Sequence, residues 1–131
     1  VSMDIKKSMI GGNKIYTHSG TKKTKLNPLE WAMKIEELGA GEILLNSVDR
    51  DGTMRGYDLE LVQQISSAVS IPVVACGGAG SIDHMIEAIN SGGASAVAAG
   101  SFFVFQGRHR AVLITYPKKE DFAVVSEQYG R

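Results

Sequence analysis

The sequence predicts an α/β protein built on a parallel sheet, and two observations lead to that prediction. Continuous apolar runs occupy residues 42–46, 71–76 and 94–99, as expected of strands that are covered on both faces. Amphipathic helical patterns fill the gaps between these runs. A strand and a helix that alternate at roughly 25 to 30 residues per unit are typical of parallel βα architecture.

Three helices are predicted from their caps and their apolar stripes. The first covers residues 27–38, where Asn27 is a favoured cap and Pro28 takes the first helical position. The second covers residues 58–69 and begins at an aspartate, and the third covers residues 81–91 and begins at a serine. Both residue types are preferred caps because their side-chain oxygens accept the free N–H groups of the first turn.

Further elements are predicted near the two ends of the chain. They are a strand over residues 1–5, a small strand over 14–18, a short helix over 102–105 and an amphipathic helix over 117–131 with Phe122 and Val125 facing inward. These elements complete four βα units. Because eight such units close a TIM barrel of about 250 residues, the 131 residues are expected to form one half-barrel domain, (βα)4, with parallel strands.

Composition and charge exclude several classes of protein. Lysine plus arginine equal aspartate plus glutamate at 14 each, so neither a nucleic-acid partner nor a basic interaction surface is expected. No apolar run approaches the roughly 18 to 20 residues of a membrane span. The lone cysteine, Cys76, cannot form an internal disulfide, which favours a cytoplasmic location. His18, His84 and His109 lack the spacing of metal ligands, so neither a metal nor a cofactor is expected.

Polar residues follow the first two strands, at the ends where parallel βα folds place their chemistry. Asp4 ends the first strand and could serve as a general acid or base, although a solvated loop aspartate is an equal alternative. In the loop after the second strand Asp49 and Asp51 flank Arg50, so we expect an ion pair that leaves one carboxylate free. The alternative is a charged surface turn.

Glycine-rich loops follow the last two strands. Residues 76–81 read CGGAGS and lead directly into a helix, so their backbone N–H groups could bind an anion. Residues 99–101 read AGS and also precede an apolar stretch. Two such loops match the phosphate site commonly found after strands seven and eight of a barrel. The four units are therefore predicted to be strands five to eight, the C-terminal half of a phosphate-binding barrel.

Four motifs carry a resemblance to a known family. They are GAGEILL at residues 39–45, DRDGT at 49–53, GYD at 56–58 and GGAG at 77–80. Together they resemble the cyclase subunit of imidazole glycerol phosphate synthase. The resemblance covers nearly the whole chain, and the related isomerase of histidine biosynthesis usually lacks the full DRDGT…GYD and GGAG set.

The resemblance implies a lyase or cyclase that uses ammonia from a glutaminase partner. Ammonia reacts in that family with a phosphoribosyl-formimino intermediate, and the products are imidazole glycerol phosphate and an aminoimidazole carboxamide ribotide. Asp4 matches the second of two acid/base aspartates, and Glu42 matches a gate residue near the ammonia entrance. Positions that match or flank the substrate and phosphate contacts are Asn46, Asp51, Gly52, Cys76, Gly77, Gly78, Gly100 and Ser101.

Some features depart from the family pattern and leave alternatives open. Asn46 stands where a threonine is common, and Cys76 where a serine is common. Residues 102–117 resemble instead the cyclase-like proteins of surface-polysaccharide clusters, which pair with an amidotransferase to make amidino sugars. A third alternative is a non-catalytic phosphate-binding half barrel that self-associates. The first acid/base aspartate belongs to strands one to four, so the isolated chain is expected to have very low activity and to need an N-terminal half or a second copy of itself.

Overall fold

A computed structural model describes residues 1–10, 12–107 and 109–122. The strands are β1 Ser2–Ser8, β2 Gly12–Thr17, β3 Lys22–Lys23, β4 Ile43–Ser47, β5 Val73–Cys76, β6 Ala96–Val97, β7 Phe105–Gln106 and β8 Ala111–Val112. The helices are α1 Pro28–Glu37, α2 Leu59–Ser66, α3 Ile82–Asn90 and α4 Ser101–Val104, and a 3-10 helix covers Lys119–Phe122. None of the helices in the described ranges is long and apolar enough to cross a membrane.

The main sheet has the strand order β3-β2-β1-β4-β5-β6. The neighbouring strands β1, β4, β5 and β6 pair in parallel, and each follows the previous one in both sequence and space. This is the arrangement of consecutive strands in a (βα)8 barrel, and it confirms the predicted α/β half barrel. On the outer edge of β1, β2 pairs antiparallel with β1, and β3 pairs antiparallel with β2.

The helices cover one face of the parallel sheet and leave the other face half-buried. Strand residues that point toward the helices are fully buried, among them Met3, Ile43 and Val73. They pack with helix residues such as Ala32 and Ile65 in one continuous core. The alternate residues of the same strands point away from the helices and are only partly buried, so this second face corresponds to the interior of a barrel.

The predicted helix starts are confirmed by direct hydrogen bonds. The side-chain oxygen of Asn27 accepts the N–H groups of Leu29 and Glu30 at 2.9 and 3.3 Å. At α2 the carboxylate of Asp58 accepts the N–H of Leu61 at 3.2 Å. Ser81 caps α3 in the same way, accepting the N–H of His84. The sequence therefore placed all three caps correctly.

The carboxyl-terminal part of the chain differs from the sequence predictions in one strand and one hairpin. The last parallel strand was predicted over residues 94–99 but covers only Ala96–Val97, although the N–H groups of Ser95 and Ala98 on either side still donate to β5 carbonyls. The β7–β8 hairpin was not predicted, since its two-residue strands carry no clear alternation. Of the predicted helix over residues 117–131, the described part contains the 3-10 helix Lys119–Phe122, while residues 123–131 and the predicted inward-facing side chains of Phe122 and Val125 lie outside what the structure describes.

Glu36 links the end of α1 to the start of β5 at the amino-terminal face of the sheet. Its carboxylate accepts the hydroxyl and the N–H of Ser70 and the N–H of Ile71. The hydrogen bonds from Ser70 hold the pKa of Glu36 below its usual range. A carboxyl group whose pKa is lower in the folded state stabilises the protein at pH values above its ordinary pKa. This stabilisation is lost as the pH falls through the pKa of the folded state.

We therefore expect Glu36→Gln to lower the thermal midpoint at pH 7, with the difference from the wild type shrinking below about pH 4. Glu37→Gln is the matched control, since Glu37 makes only an exposed ion pair with Lys34, 2.8 Å long. Thermal unfolding followed by circular dichroism between pH 3 and 8 measures both. Equal effects of the two substitutions, or a Glu36→Gln effect that does not change with pH, would contradict this role.

Candidate functional site

Three polar side chains form a row across the half-buried face of the sheet. The registers pair Asp4 on β1 with Asn46 on β4, and Asn46 with Cys76 on β5. All three are partly buried, at the carboxyl ends of their pairing regions. The structure therefore brings together the predicted acid/base candidate and two predicted substrate-site residues, although 72 positions separate Asp4 from Cys76 in the chain.

The amide of Asn46 holds the carboxylate of Asp4. Its Nδ2 donates to Asp4 Oδ1 at 3.1 Å. Its Oδ1 is buried and has no hydrogen-bond partner among the described residues. A buried carbonyl oxygen without a donor costs free energy, so the position is suited to a ligand that brings an N–H or O–H group.

The β4–α2 loop (residues 48–58) folds back over the end of its own strand. The N–H groups of Arg50 and Asp51 both donate to the carbonyl of Ser47, at 3.1 and 2.9 Å, which closes a tight turn. The prediction of an ion pair between Arg50 and a flanking aspartate was wrong, since within the described ranges the only ion pair is Lys34–Glu37. Arg50 donates instead to the carbonyl of Gly56, and Asp49 accepts the N–H of Lys7 at 2.6 Å.

The β5–α3 loop (residues 77–81) packs directly against the backbone of the β4–α2 loop. The N–H of Gly56 donates to the carbonyl of Gly78 at 2.8 Å. Gly78 has a φ of +105°, and a Cβ on it would lie 2.2 Å from the carbonyl oxygen of Gly56. Only glycine fits here, because a side chain would both strain the backbone and collide with the neighbouring loop.

The two loops and the end of β6 enclose a small depression, which we call the glycine pocket. It is lined by Asp51, Gly52, Cys76, Gly77, Gly78, Ala79, Ala98, Ala99, Gly100 and Ser101, and its volume including the open mouth is about 230 Å³. The three segments are close, since a Cβ on Gly52 would lie 3.8 Å from Ser101 Oγ. Seven residues predicted as substrate or phosphate contacts thus line one pocket; the eighth, Asn46, lies beside it in the polar row.

Hydrogen-bond donors in the glycine pocket come from the backbone. Among the described residues, the N–H groups of Gly78, Ala79 and Ser101 donate to no protein acceptor. The hydroxyl of Ser101 adds a side-chain donor. Convergent backbone N–H groups in glycine-rich loops form anion sites without needing a cation. The chemistry of this pocket therefore suits a phosphate group.

The histidine biosynthesis protein family model matches residues 1–109. The chain belongs to this family. The match includes the whole polar row and every residue of the glycine pocket, and it ends within the β7–β8 hairpin. It confirms the resemblance, made from sequence motifs, to the cyclase subunit of imidazole glycerol phosphate synthase.

Individual members of the family extend this finding. The chain is 54% identical over 116 residues to a putative imidazole glycerol phosphate synthase subunit of Pseudomonas aeruginosa, covering 88% of this chain and 46% of the relative. It is 48% identical over 122 residues to a putative subunit HisF of Leptospira borgpetersenii, covering 92% and 48%. With the imidazole glycerol phosphate synthase subunit HisF of Chlorobaculum parvum it shares 50% identity over 106 residues, covering 81% and 42%. The chain spans about half the length of these relatives.

Two residues that sequence reasoning gave little weight hold together the loops that form the glycine pocket. Tyr57 is buried, and its hydroxyl donates to the carbonyl of Ala98 at 2.9 Å, which ties the β4–α2 loop to the end of β6. Burial raises the pKa of Tyr57 well above its usual range, so the hydroxyl keeps its proton. Nδ1 of His84 accepts the N–H of Gly80, which gives this histidine a structural role in the β5–α3 loop. In the sequence, the tyrosine of the GYD motif was the only signal that pointed to Tyr57.

The thiol of Cys76 stays protonated. Burial raises its pKa, and the carboxylates of Asp51 and Asp4 add to the rise. A thiol in this setting is a poor nucleophile and a weak hydrogen-bond donor. Its role in the pocket is thus that of a small polar residue, as the common serine at this position would suggest.

Glu42 lies away from the glycine pocket, just before β4 and at the opposite end of the strand from Asn46. Its side chain is exposed, and its carbonyl accepts the amino-terminal ammonium of Val1 at 2.8 Å. Glu42 therefore lies at the amino-terminal end of the parallel strands. His18 and His109 are both exposed in turns.

Proposed function

We propose that this chain supplies the C-terminal half of a cyclase barrel of imidazole glycerol phosphate synthase, acting in the cytoplasm in histidine biosynthesis. The observation that carries the proposal is the glycine pocket beside the Asp4–Asn46 pair. The pocket holds the phosphate of a sugar-phosphate substrate, and the polar row lies where the reacting end of that substrate extends. The family match over residues 1–109 supports this assignment.

Asp4 is the residue that exchanges protons with the substrate. Its Oδ1 accepts from Asn46, so Oδ2 is the atom available to the reacting group. The amide of Asn46 thus orients the carboxyl group, and the role assigned to Asp4 is that of a general base. The free Oδ1 of Asn46 accepts a donor from the same substrate.

Ammonia comes from a glutaminase partner at the amino-terminal face, and Glu42 lies at that face as a gate residue. Relatives with the synthase name are about twice as long as this chain. We therefore propose that a further four βα units, with their own acid/base aspartate, complete the catalytic barrel. Without them the isolated chain binds phosphate but turns over very slowly.

A second candidate is a cyclase-like partner of an amidotransferase that makes amidino sugars. The observation that favours it is the likeness of residues 102–117 to the cyclase-like proteins of surface-polysaccharide clusters. Turnover of the formimino intermediate by the completed barrel would favour the histidine pathway, and ammonia transfer to a sugar phosphate without such turnover would favour the alternative.

The phosphate assignment is tested by adding one methyl group to the pocket. A Cβ on Gly100 meets no atom within 4 Å and its φ of −113° suits any residue, so Gly100→Ala should fold normally while its methyl narrows the glycine pocket. Gly41→Ala is the matched control, since its Cβ also meets nothing and it lies at the opposite end of the sheet. We expect Gly100→Ala to weaken binding of inorganic phosphate about tenfold or more by isothermal titration calorimetry. Equal phosphate affinity in both variants would remove the assignment.

A further inference from the structure

Three lysines lie on the half-buried face of the sheet that carries Asp4. The registers place Lys6 on β1 directly opposite Lys14 on β2, and Lys23 on β3 directly opposite Tyr16 on β2. Tyr16 in turn lies opposite Asp4. Because side chains alternate between the two faces of a sheet, all five residues share one face. We call Lys6, Lys14 and Lys23 the lysine patch.

Two contacts keep ammonium groups of the lysine patch over this face. Nζ of Lys6 lies over the ring of Tyr16, 5.9 Å from its centroid. Nζ of Lys23 donates to Ser8 Oγ at 2.7 Å, and Ser8 is the next residue after Lys6 on the same face of β1. The positive charges therefore lie beside the polar row and toward the carboxyl end of β1.

No carboxylate pairs with the lysine patch among the described residues. Asp4 is the only carboxylate in β1, β2 and β3, and the one ion pair of the described ranges is Lys34–Glu37 on α1. Like charges directly opposite each other, as at Lys6 and Lys14, destabilise a pair of strands. The arrangement thus costs stability in the free protein, and a nearby anion would offset that cost.

The balanced charge of the whole chain conceals this patch. Residues 1–25 contain six lysines and one aspartate, whereas the rest of the chain carries the compensating excess of carboxylates. The positive charge is therefore concentrated on the three strands at the β1 side of the sheet. A local surface of one sign acts on a charged ligand even where the net charge is zero.

The glycine pocket lacks a positive charge of its own. None of the residues that line it is a cation, and Asp51 is among them. Burial, and then the carboxylates of Asp51 and Asp4, raise the pKa of Cys76, so both negative charges act on the pocket. A phosphate bound there is repelled by two carboxylates, and the backbone N–H groups that hold it carry only partial charges.

We propose that the lysine patch attracts phosphate groups to the glycine pocket and offsets the repulsion of the two carboxylates. The inference rests on the proposed function, in which this pocket binds the phosphate of the substrate. β1 and β5 are two strand spacings apart, roughly 10 Å. Charges interact over such a distance at low salt and are screened at high salt. Lys6, Lys14 and Lys23 are thus positioning residues, which guide the ligand without lining the pocket.

The experiment removes these charges and measures phosphate affinity at the pocket itself. Inorganic phosphate is titrated into the ¹⁵N-labelled 131-residue chain, and the dissociation constant is taken from the amide resonances of Gly78 and Ser101. A triple variant with Lys6→Gln, Lys14→Gln and Lys23→Gln should bind phosphate about fivefold more weakly than the wild type in about 20 mM sodium chloride. In about 500 mM sodium chloride the difference should fall below about twofold.

A second triple variant, Lys22→Gln, Lys25→Gln and Lys34→Gln, is the matched control because it removes the same charge from the chain. Lys22 points to the opposite face of β3 from Lys23, and Lys25 and Lys34 line one cleft beside α1. This variant should stay within about twofold of the wild-type affinity at both salt concentrations. Arginine at the three patch positions should restore the wild-type affinity, since the role requires positive charge.

The outcomes separate this inference from the proposed function. Equal affinities of the two glutamine variants, or a loss in the patch variant that persists at high salt, would overturn the inference alone. Resonances of Gly78 and Ser101 that do not shift even in the wild type would contradict the proposed function and this inference with it. Thermal unfolding should show the patch variant at least as stable as the wild type, because the repulsion between positions 6 and 14 is gone.

Discussion

Gly78→Ala is expected to destabilise the chain by about 3 kcal/mol or more and to abolish phosphate binding. The new Cβ would lie 2.2 Å from the carbonyl oxygen of Gly56, on a backbone whose φ is +105°. The two loops cannot separate without breaking the 2.8 Å hydrogen bond from the N–H of Gly56 to the carbonyl of Gly78. Separation of the two loops opens the glycine pocket.

Gly39→Ala separates the two contributions to this loss. Gly39 has a φ of +88°, but a Cβ there meets no atom within 4 Å. It should therefore cost only the strain of a positive φ, about 1 to 2 kcal/mol. Urea denaturation measures both variants. Costs that agree within error would show that the contact between the two loops does not hold the pocket together.

Asp4→Asn is expected to reduce turnover in the completed barrel by about 10² to 10⁴-fold while leaving phosphate affinity nearly unchanged. The substitution keeps the size of the side chain and an oxygen that can accept from Asn46 Nδ2, but it removes the proton acceptor. Steady-state kinetics with ammonia as the nitrogen source measures kcat directly.

Asp83→Asn is the control for this substitution, because Asp83 is exposed in the first turn of α3 and outside the glycine pocket. Its kcat should match that of the wild type. If Asp4→Asn kept more than about a tenth of the wild-type kcat, Asp4 would not be the general base.

Much of the fold could be predicted from the sequence because local signals and tertiary packing agree. Asn27, Asp58 and Ser81 cap their helices as expected, and β4, β5 and β6 overlap the three continuous apolar runs of the sequence. The β7–β8 hairpin could not be predicted in the same way. The segment after β8 is held by hydrogen bonds from Leu113 and Thr115 to the carbonyls of Val104 and Phe103 and by stacking of Tyr116 on Phe103, and neither interaction leaves a periodic pattern in the sequence.

The residues of the candidate site could be predicted from the sequence, but most of the hydrogen bonds that join them could not. Strand-end residues such as Asp4 and Gly78 follow from the rule that parallel strands end at one edge. The hydrogen bond from Asn46 to Asp4 depends on register, which no single strand reveals. The predicted ion pair of Arg50 does not form, because its guanidinium donates to the backbone carbonyl of Gly56 across the loop. The link from Tyr57 to Ala98 joins positions 41 residues apart and likewise needs the folded structure.

A second cleft competes with the glycine pocket for an anion. It is lined by Lys7, Gly12, Asn13, Asp49, Arg50, Asp58, Glu60 and Gln64, and its volume including the open mouth is about 820 Å³. It is larger, and it contains two cations. Three carboxylates line it as well, so their repulsion offsets the attraction that Lys7 and Arg50 exert on a phosphate.

The location of bound phosphate therefore tests the proposed function most directly. Inorganic phosphate is titrated into the ¹⁵N-labelled chain, and the shifts of its backbone amide resonances are followed. We predict that Gly78, Ala79, Gly100 and Ser101 shift together and saturate, while Lys7 and Arg50 do not move. Saturating shifts at Lys7 and Arg50 with none at Gly78 and Ser101 would contradict a phosphate site at the carboxyl ends of β5 and β6.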